Sequence, residues 1–311
     1  MILDLEGRKI VEPGARRLQQ QKRLDRKNYF DDRERCRVER DVAAFAQEFR
    51  IEPETIQGCQ GLDARGCWRR FRDFDDFFTR RRLRLPEPIP YHPRSAAARR
   101  VVSPVDAYAL CLGRGQLLRL KDQEYRIGMP GAILALRLSP CHYHRIHSPC
   151  MGFVTSIRSA GYGYSGTYLM DYGVGVLSRN YRVIMTLRMI DGTDLVMTAV
   201  GARCVGSIEI THPRILTAFR EEYPSLPWQE VLNRRLEVRF RRPPTVGLTD
   251  ELGRFRLGGS MVVLTVPTAI EPSIVLDTIR RHTLADAETS VSVGQPLFSV
   301  LSAAVQKFSG F

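Results

Sequence analysis

An α+β architecture, with an N-terminal helical region followed by a mostly antiparallel β core, is predicted by three features of the residue pattern. Apolar residues recur at helical spacing in two early stretches, Val42, Phe45, Ala46 and Phe49, and then Phe71, Phe74, Phe77 and Phe78. A linker carrying Pro86, Pro88, Pro90 and Pro93 comes next. From there almost to the end, the chain consists of short β-type runs separated by glycine, proline and serine. Helices first and strands afterwards is the order of an α+β protein, not of alternating βα units. The expected division is a charged extension over residues 1–40, a helical region and proline-rich linker over 41–95, and a β-rich core over 96–311.

The first 40 residues are highly charged with few apolar anchors and read as a helical or partly disordered extension. The run VAAFAQEF after Asp41 builds one apolar helical face, and Pro53-Glu54 has the form of the first turn of another short helix. The phenylalanine stripe is bordered by arginines from Arg80 to Arg84. Such a stripe can lie on an anionic membrane or pack on the core, and Asp73, Asp75 and Asp76, which would repel acidic headgroups, favour the core.

A chain of 311 residues with 43% hydrophobic content can bury a sizeable core. Its net charge of +13, mostly arginine and interspersed with acids, points to nucleic acid, to an acidic membrane, or to nothing more than a solvated basic surface. Seven cysteines, Cys36, Cys59, Cys67, Cys111, Cys141, Cys150 and Cys204, form no CxxC pair, so a disulfide framework and a cysteine-rich zinc site are not indicated and a reducing compartment is expected. The uncharged run Leu257 to Ile270 is broken by Pro267 and falls short of the ~20 residues of a spanning helix. The opening MILDLEGRKIVEP carries acids early and has no apolar signal core. A protein of this kind that works on lipid is expected to be a peripheral one, on the bilayer from one side. No P-loop or internal repeat is present, so nucleotide chemistry is not expected.

Three stretches carry chemistry. Val101 to Asp106 is an apolar strand running into a proline-fixed turn that ends in a carboxylate, which taken alone is a turn or capping residue. Leu138 to Val154, LSPCHYHRIHSPCMGFV, holds three of the six histidines: His142, His144 and His147. No carboxylate or second histidine cluster completes a familiar shell, so no metal ion is expected there. Gly253 to Pro267, GRFRLGGSMVVLTVP, places a Gly258-Gly259-Ser260 bend between two β-type runs. Glycine leaves the Gly259 carbonyl uncovered beside a sterically open Ser260 hydroxyl.

GRFRLGGSMVV resembles the Gly-Ser processing segment of the phosphatidylserine decarboxylases, which are made as inactive proenzymes. Further resemblances follow in the family's order: Phe77-Phe78-Thr79-Arg80 before the proline linker, Ser103-Pro104-Val105-Asp106, Tyr143-His144-Arg145-Ile146-His147-Ser148-Pro149, Val200 to Ile208, and Val293-Gly294-Gln295-Pro296-Leu297. Arg179-Asn180-Tyr181-Arg182 is similar to the family's Asn-Glu-Arg segment, with tyrosine in place of glutamate. Other departures are Ala107 for glycine, His142 for aspartate, which substitutes a group titrating near neutrality, and Met261 for threonine or serine.

The resemblance implies autocatalytic serinolysis. With His147 as base and Asp106 holding its imidazole, Ser260 would attack the Gly259 carbonyl and become a covalent pyruvoyl group, the cofactor. That group would form a Schiff base with phosphatidylserine and release CO2 to give phosphatidylethanolamine, with His144 returning a proton. The implied partners are phosphatidylserine, an anionic membrane surface and the two self-cleaved chains for each other; a homodimer is left open and no nucleic acid is expected. Two alternatives stand beside this: the same machinery acting on a free amino acid, and an unprocessed relative that binds lipid or a partner without catalysis.

Overall fold

In the computed structural model of the chain the described residues are 1–9, 35–52, 56, 71, 74–82, 85–92, 94–113, 117–120, 123–126, 132–139, 141–161, 179–201, 208–233, 235–256, 260–266 and 270–301. The first helix, α1 (Arg35–Glu48), begins earlier than the apolar periodicity after Asp41 suggests. A short second helix, α2 (Phe74–Phe78), packs against it. Val42, Ala46, Ile56, Phe77 and Phe78 make a buried cluster with Phe45 and Phe71 against it, and the Phe45 and Phe77 rings meet edge to face at 5.9 Å. Phe71, Phe77 and Phe78 of the stripe therefore face protein, because Phe77 and Phe78 gain more by leaving water against their neighbours than they could on a surface shared with Asp75 and Asp76. The short helix expected at Pro53-Glu54 lies outside the described residues.

The remainder is mostly antiparallel sheet. In chain order the strands are β1 (Ile2–Leu3), β2 (Arg100–Val102), β3 (Ala107–Gly113), β4 (Leu117–Leu120), β5 (Gln123–Arg126), β6 (Ala132–Leu138), β7 (Arg145–His147), β8 (Gly152–Ala160) and β9 (Arg182–Met189). They continue with β10 (Asp194–Gly201), β11 (Ile208–Ile210), β12 (Glu237–Arg239), β13 (Thr245–Val246), β14 (Glu251–Phe255), β15 (Ser260–Val266), β16 (Ile270–Pro272), β17 (Glu288–Val291) and β18 (Pro296–Val300). The main sheet runs β1-β17-β3-β6-β15-β10-β9-β8-β12, with β13 also on β8, and only β1–β17 is parallel among these pairs. Smaller sheets are β11-β14-β7, β16-β18-β2 and the hairpin β4-β5. Three later helices, α3 (Pro213–Glu222), α4 (Trp228–Asn233) and α5 (Ile274–Leu284), complete the described elements.

Two details tie sequence to register. Strand β15 reads as an unbroken apolar run because it lies between β6 and β10 and is buried on both faces from Ser260 to Leu264. In β8, Val154 and Ile157 are both fully buried although strict alternation would send them to opposite faces; a register shift between Val154 and Ser156 corrects the phase. The bend expected at Gly258-Gly259-Ser260 lies partly outside the described residues, and the strands flanking it do not pair with each other: β14 belongs to the small sheet and β15 to the main one. Ser260 is the first residue of β15 and is fully buried, not sterically open, because Leu138 and Gly201 flank it.

Candidate active site

The Phe77-Phe78-Thr79-Arg80 and histidine-rich motifs, some sixty residues apart, lock onto each other. The Phe78 ring lies 3.9 Å from the His144 ring, centroid to centroid, and the Phe77 ring lies beneath the Arg80 guanidinium at 5.1 Å. Arg80 Nη2 donates to the carbonyls of Cys141 at 2.8 Å and His142 at 3.1 Å. The Thr79 carbonyl accepts from Arg145 Nε at 2.9 Å, and Arg145 also binds Glu251 at 2.6 Å. Burial, with Arg82 nearby, lowers the Arg80 pKa to about 10, which leaves it a cation at neutral pH.

The histidines differ in their bonds. His147 Nδ1 lies 2.8 Å from the Thr249 carbonyl oxygen; a carbonyl only accepts, so Nδ1 carries the proton and Nε2 the lone pair. The Tyr143 hydroxyl sits 3.1 Å from that Nε2, and burial raises its pKa, keeping it a donor. Burial lowers the His147 pKa, outweighing the Thr249 bond and the Glu251 and Asp106 charges. His144 Nδ1 likewise donates to the His142 carbonyl at 2.8 Å, while its Nε2, in a side chain 0% exposed, has no partner. Burial beside Arg80 holds His144 well below the usual imidazole range. His142 does not titrate near neutrality as expected: burial, then Arg137, Arg80 and Arg82, lower it to about 3. It accepts from the Ser139 N–H at 3.0 Å and packs on Tyr108.

Asp106 is built into the same corner by the C-terminal motif. Its carboxylate accepts from the Val293 N–H at 2.9 Å and pairs with Arg82, and its turn meets His147 through the Pro104 carbonyl, which accepts the His147 N–H at 2.9 Å. The Gly294 and Gln295 backbones bond Ser103 on the same turn. Among the described residues no hydrogen bond joins Asp106 to the His147 ring; the orienting acceptor is the Thr249 carbonyl. Thr249 holds φ +66°, a costly left-handed conformation for a β-branched residue. Its turn is pinned by the Asp250 carboxylate, which accepts from Gly247 N–H at 2.6 Å and faces His212 at 3.5 Å. A backbone acceptor in a strained turn leaves little trace in sequence, and Thr249 was not anticipated.

Ser260, at the head of β15, has its Oγ buried without a hydrogen-bond partner. Gly259, the other half of the expected cleavage pair, lies outside the described residues. The segment leading there is held from upstream: the Phe255 N–H donates to the His144 carbonyl at 2.9 Å, and Arg256 binds Asp75 of α2 and Glu209, each at 2.8 Å. Asn180 Nδ2 donates to the Gly201 carbonyl at 2.7 Å, next to Ser260, which explains the asparagine of that motif. Burial raises the Cys150 thiol to about 12, so it is an inert core group. Among the described residues no three His, Cys, Asp or Glu side chains gather closely enough to hold a metal ion.

The corner thus holds two neutral buried histidines and a buried cation, and Ser260 begins β15 with its hydroxyl buried and unbonded. A sequence model of the phosphatidylserine decarboxylase family matches residues 74–298. The chain is 35% identical over 188 residues to a phosphatidylserine decarboxylase proenzyme of Anoxybacillus flavithermus, covering 55% of this chain and 66% of that one. It is 30% identical over 225 residues to a proenzyme of the same name from a Shewanella species, covering 65% and 71%. It is 29% identical over 193 residues to another from Bacillus thuringiensis, covering 56% and 67%. The matched stretches span about two thirds of these relatives' lengths. The chain belongs to the phosphatidylserine decarboxylase family, a family of decarboxylating enzymes.

Proposed function

We propose that this chain is a proenzyme that cuts itself between Gly259 and Ser260 and acts as a pyruvoyl-dependent phosphatidylserine decarboxylase. The observation that carries the reading is the Ser260 hydroxyl, buried with no partner at the first residue of β15. A hydroxyl stripped of water and left unbonded is costly, and chemistry at that atom accounts for the cost.

His147 supplies the base, since its protonated Nδ1 leaves the Nε2 lone pair to take a proton. Tyr143 covers that lone pair in the uncut chain, so the phenol must swing aside or relay the proton. Ser260 Oγ then bonds to the Gly259 carbonyl carbon as the amide C–N bond breaks, giving an ester and a free amine. Elimination expels the 1–259 carboxylate, and water replaces the enamine nitrogen, which leaves as ammonia. The resulting pyruvoyl ketone supplies the electron sink for carboxyl loss. His144 is neutral at rest, so it acts first as an acceptor at Nε2 and can return only a proton it has taken up. Asp106 serves by holding Val293 and Arg82 against the His147 turn. The net charge of +13 suits an anionic bilayer carrying the substrate.

Intact mass of the wild type beside Ser260→Ala tests the proposal. The wild type should give two fragments meeting between Gly259 and Ser260, the smaller reactive to hydroxylamine, and should release labelled CO2 from carboxyl-labelled phosphatidylserine. The variant should remain full-length. A folded wild type that stays in one piece overturns the reading.

A further inference from the structure

Four buried polar atoms around the 138–144 turn have no hydrogen-bond partner: Arg80 Nη1, Ser139 Oγ, His144 Nε2 and Ser260 Oγ. Ser139 and His144 bracket the turn, Arg80 is bonded to its Cys141 and His142 carbonyls, and Ser260 pairs with Leu138 at its start. Arg80 Nη2 and His144 Nδ1 bond the same oxygen, the His142 carbonyl, at 3.1 and 2.8 Å, which brings the guanidinium and the imidazole together. Arg80 is only 5% exposed, and a buried cationic N–H without an acceptor is among the more expensive defects a protein can hold. The carboxylate of Asp106 is already committed to Arg82 and to the Val293 N–H.

The four atoms differ in kind. Arg80 Nη1 only donates and carries positive charge; His144 Nε2 only accepts; the two hydroxyls do either. A lone phosphate would satisfy the first and clash electronically with the second. A group bearing a carboxylate and an amine a few atoms apart satisfies both.

We propose that Arg80 is the receptor for the carboxylate of an α-amino-acid headgroup, with His144 Nε2 facing the amine. The proposal rests on the decarboxylase reading and assigns what selects the substrate. Departure of CO2 removes the anion that balances Arg80, so the amine product is held less tightly than the substrate and is released.

The test uses short-chain lipids and enzyme treated with borohydride, which reduces any pyruvoyl ketone so that no turnover intrudes. Binding of phosphatidylserine is compared with that of its serine carboxyl methyl ester and of phosphatidylethanolamine, in wild type, Arg80→Lys and Arg80→Met. Wild type should bind the free acid about tenfold or more tightly over both, the worth of one charge-assisted hydrogen bond. Arg80→Met should lose that preference and Arg80→Lys recover part of it. Equal binding of acid and methyl ester by wild type, or a preference that survives in Arg80→Met, overturns the proposal. If Arg80→Met does not fold, the wild-type comparison and Arg80→Lys still decide it. A wild type that discriminates through Arg80 but never decarboxylates would sink the decarboxylase reading alone.

Discussion

His147 and His144 are buried neutral imidazoles with the same protonated nitrogen but different surroundings, and different outcomes follow. His147→Ala should leave the chain uncut, as a gel of the purified protein would show. His144→Ala should still cut but lower turnover by about 10² or more, the usual worth of a proton-transfer group. An uncut His144 variant would break that division. Because burial lowers the His147 pKa, its neutral, base-competent form persists below pH 6.5, the ordinary imidazole value. The processing rate should therefore stay level as pH falls through 6.5 and drop only at more acid values; a midpoint at or above 6.5 would contradict the assignment. Asp250→Ala, which frees the turn that presents the Thr249 carbonyl, should slow processing while Asp250→Asn, still able to accept from Gly247, should be milder.

Helix α2 works through its far end. Phe78 and Arg80 pack on the histidine-rich turn, and Arg256 ties the segment leading to Ser260 to Asp75 on the same helix. Phe78→Ala should cost about 3–5 kcal/mol of stability by opening a cavity and should also loosen His144, so thermal unfolding and turnover should fall together. Strands β11 and β14 approach so closely that a Cβ on Gly253 would lie 2.2 Å from the Glu209 carbonyl oxygen. Backbone cannot yield there as a flexible side chain would. Gly253→Ala should lower stability by at least about 2 kcal/mol in a denaturant titration and disturb the pairing of β14 with β7 that positions His147.

The cut proposed at Ser260 would not release the C-terminal piece. Strand β15 is sandwiched between β6 and β10, β17 between β1 and β3, and β18 pairs with β2, all upstream strands. The two fragments should co-elute from a sizing column in native buffer and separate only in denaturant. Acid should unfold the molecule readily. His142, His144 and His147 all have lowered folded pKa values, so below 6.5 the unfolded chain binds more protons and stability is lost as pH falls. His142, at about 3, contributes a loss of up to about 2 kcal/mol at pH 5. Among the described residues no helix is long and apolar enough to cross a membrane.

Residue types and their order were enough to place the α+β class, and the resemblance of several local motifs to one family was enough to propose Asp106, His144, His147 and Ser260, because each motif is a local string whose chemistry is carried by its side chains. They also favoured the core for the phenylalanine stripe, since the aspartates among it would repel acidic headgroups. Relations between distant segments were out of reach of the string. That Arg80 bonds the turn carrying His142, that the Thr249 carbonyl holds His147, and that β14 and β15 lie in different sheets all depend on contacts across tens to more than a hundred residues. Protonation followed the same rule: His142 looks titratable near neutrality as a letter, and is neutral there only because burial and three nearby arginines lower its pKa. Side-chain chemistry is written locally, whereas burial, tautomer and charge balance are properties of the packed whole.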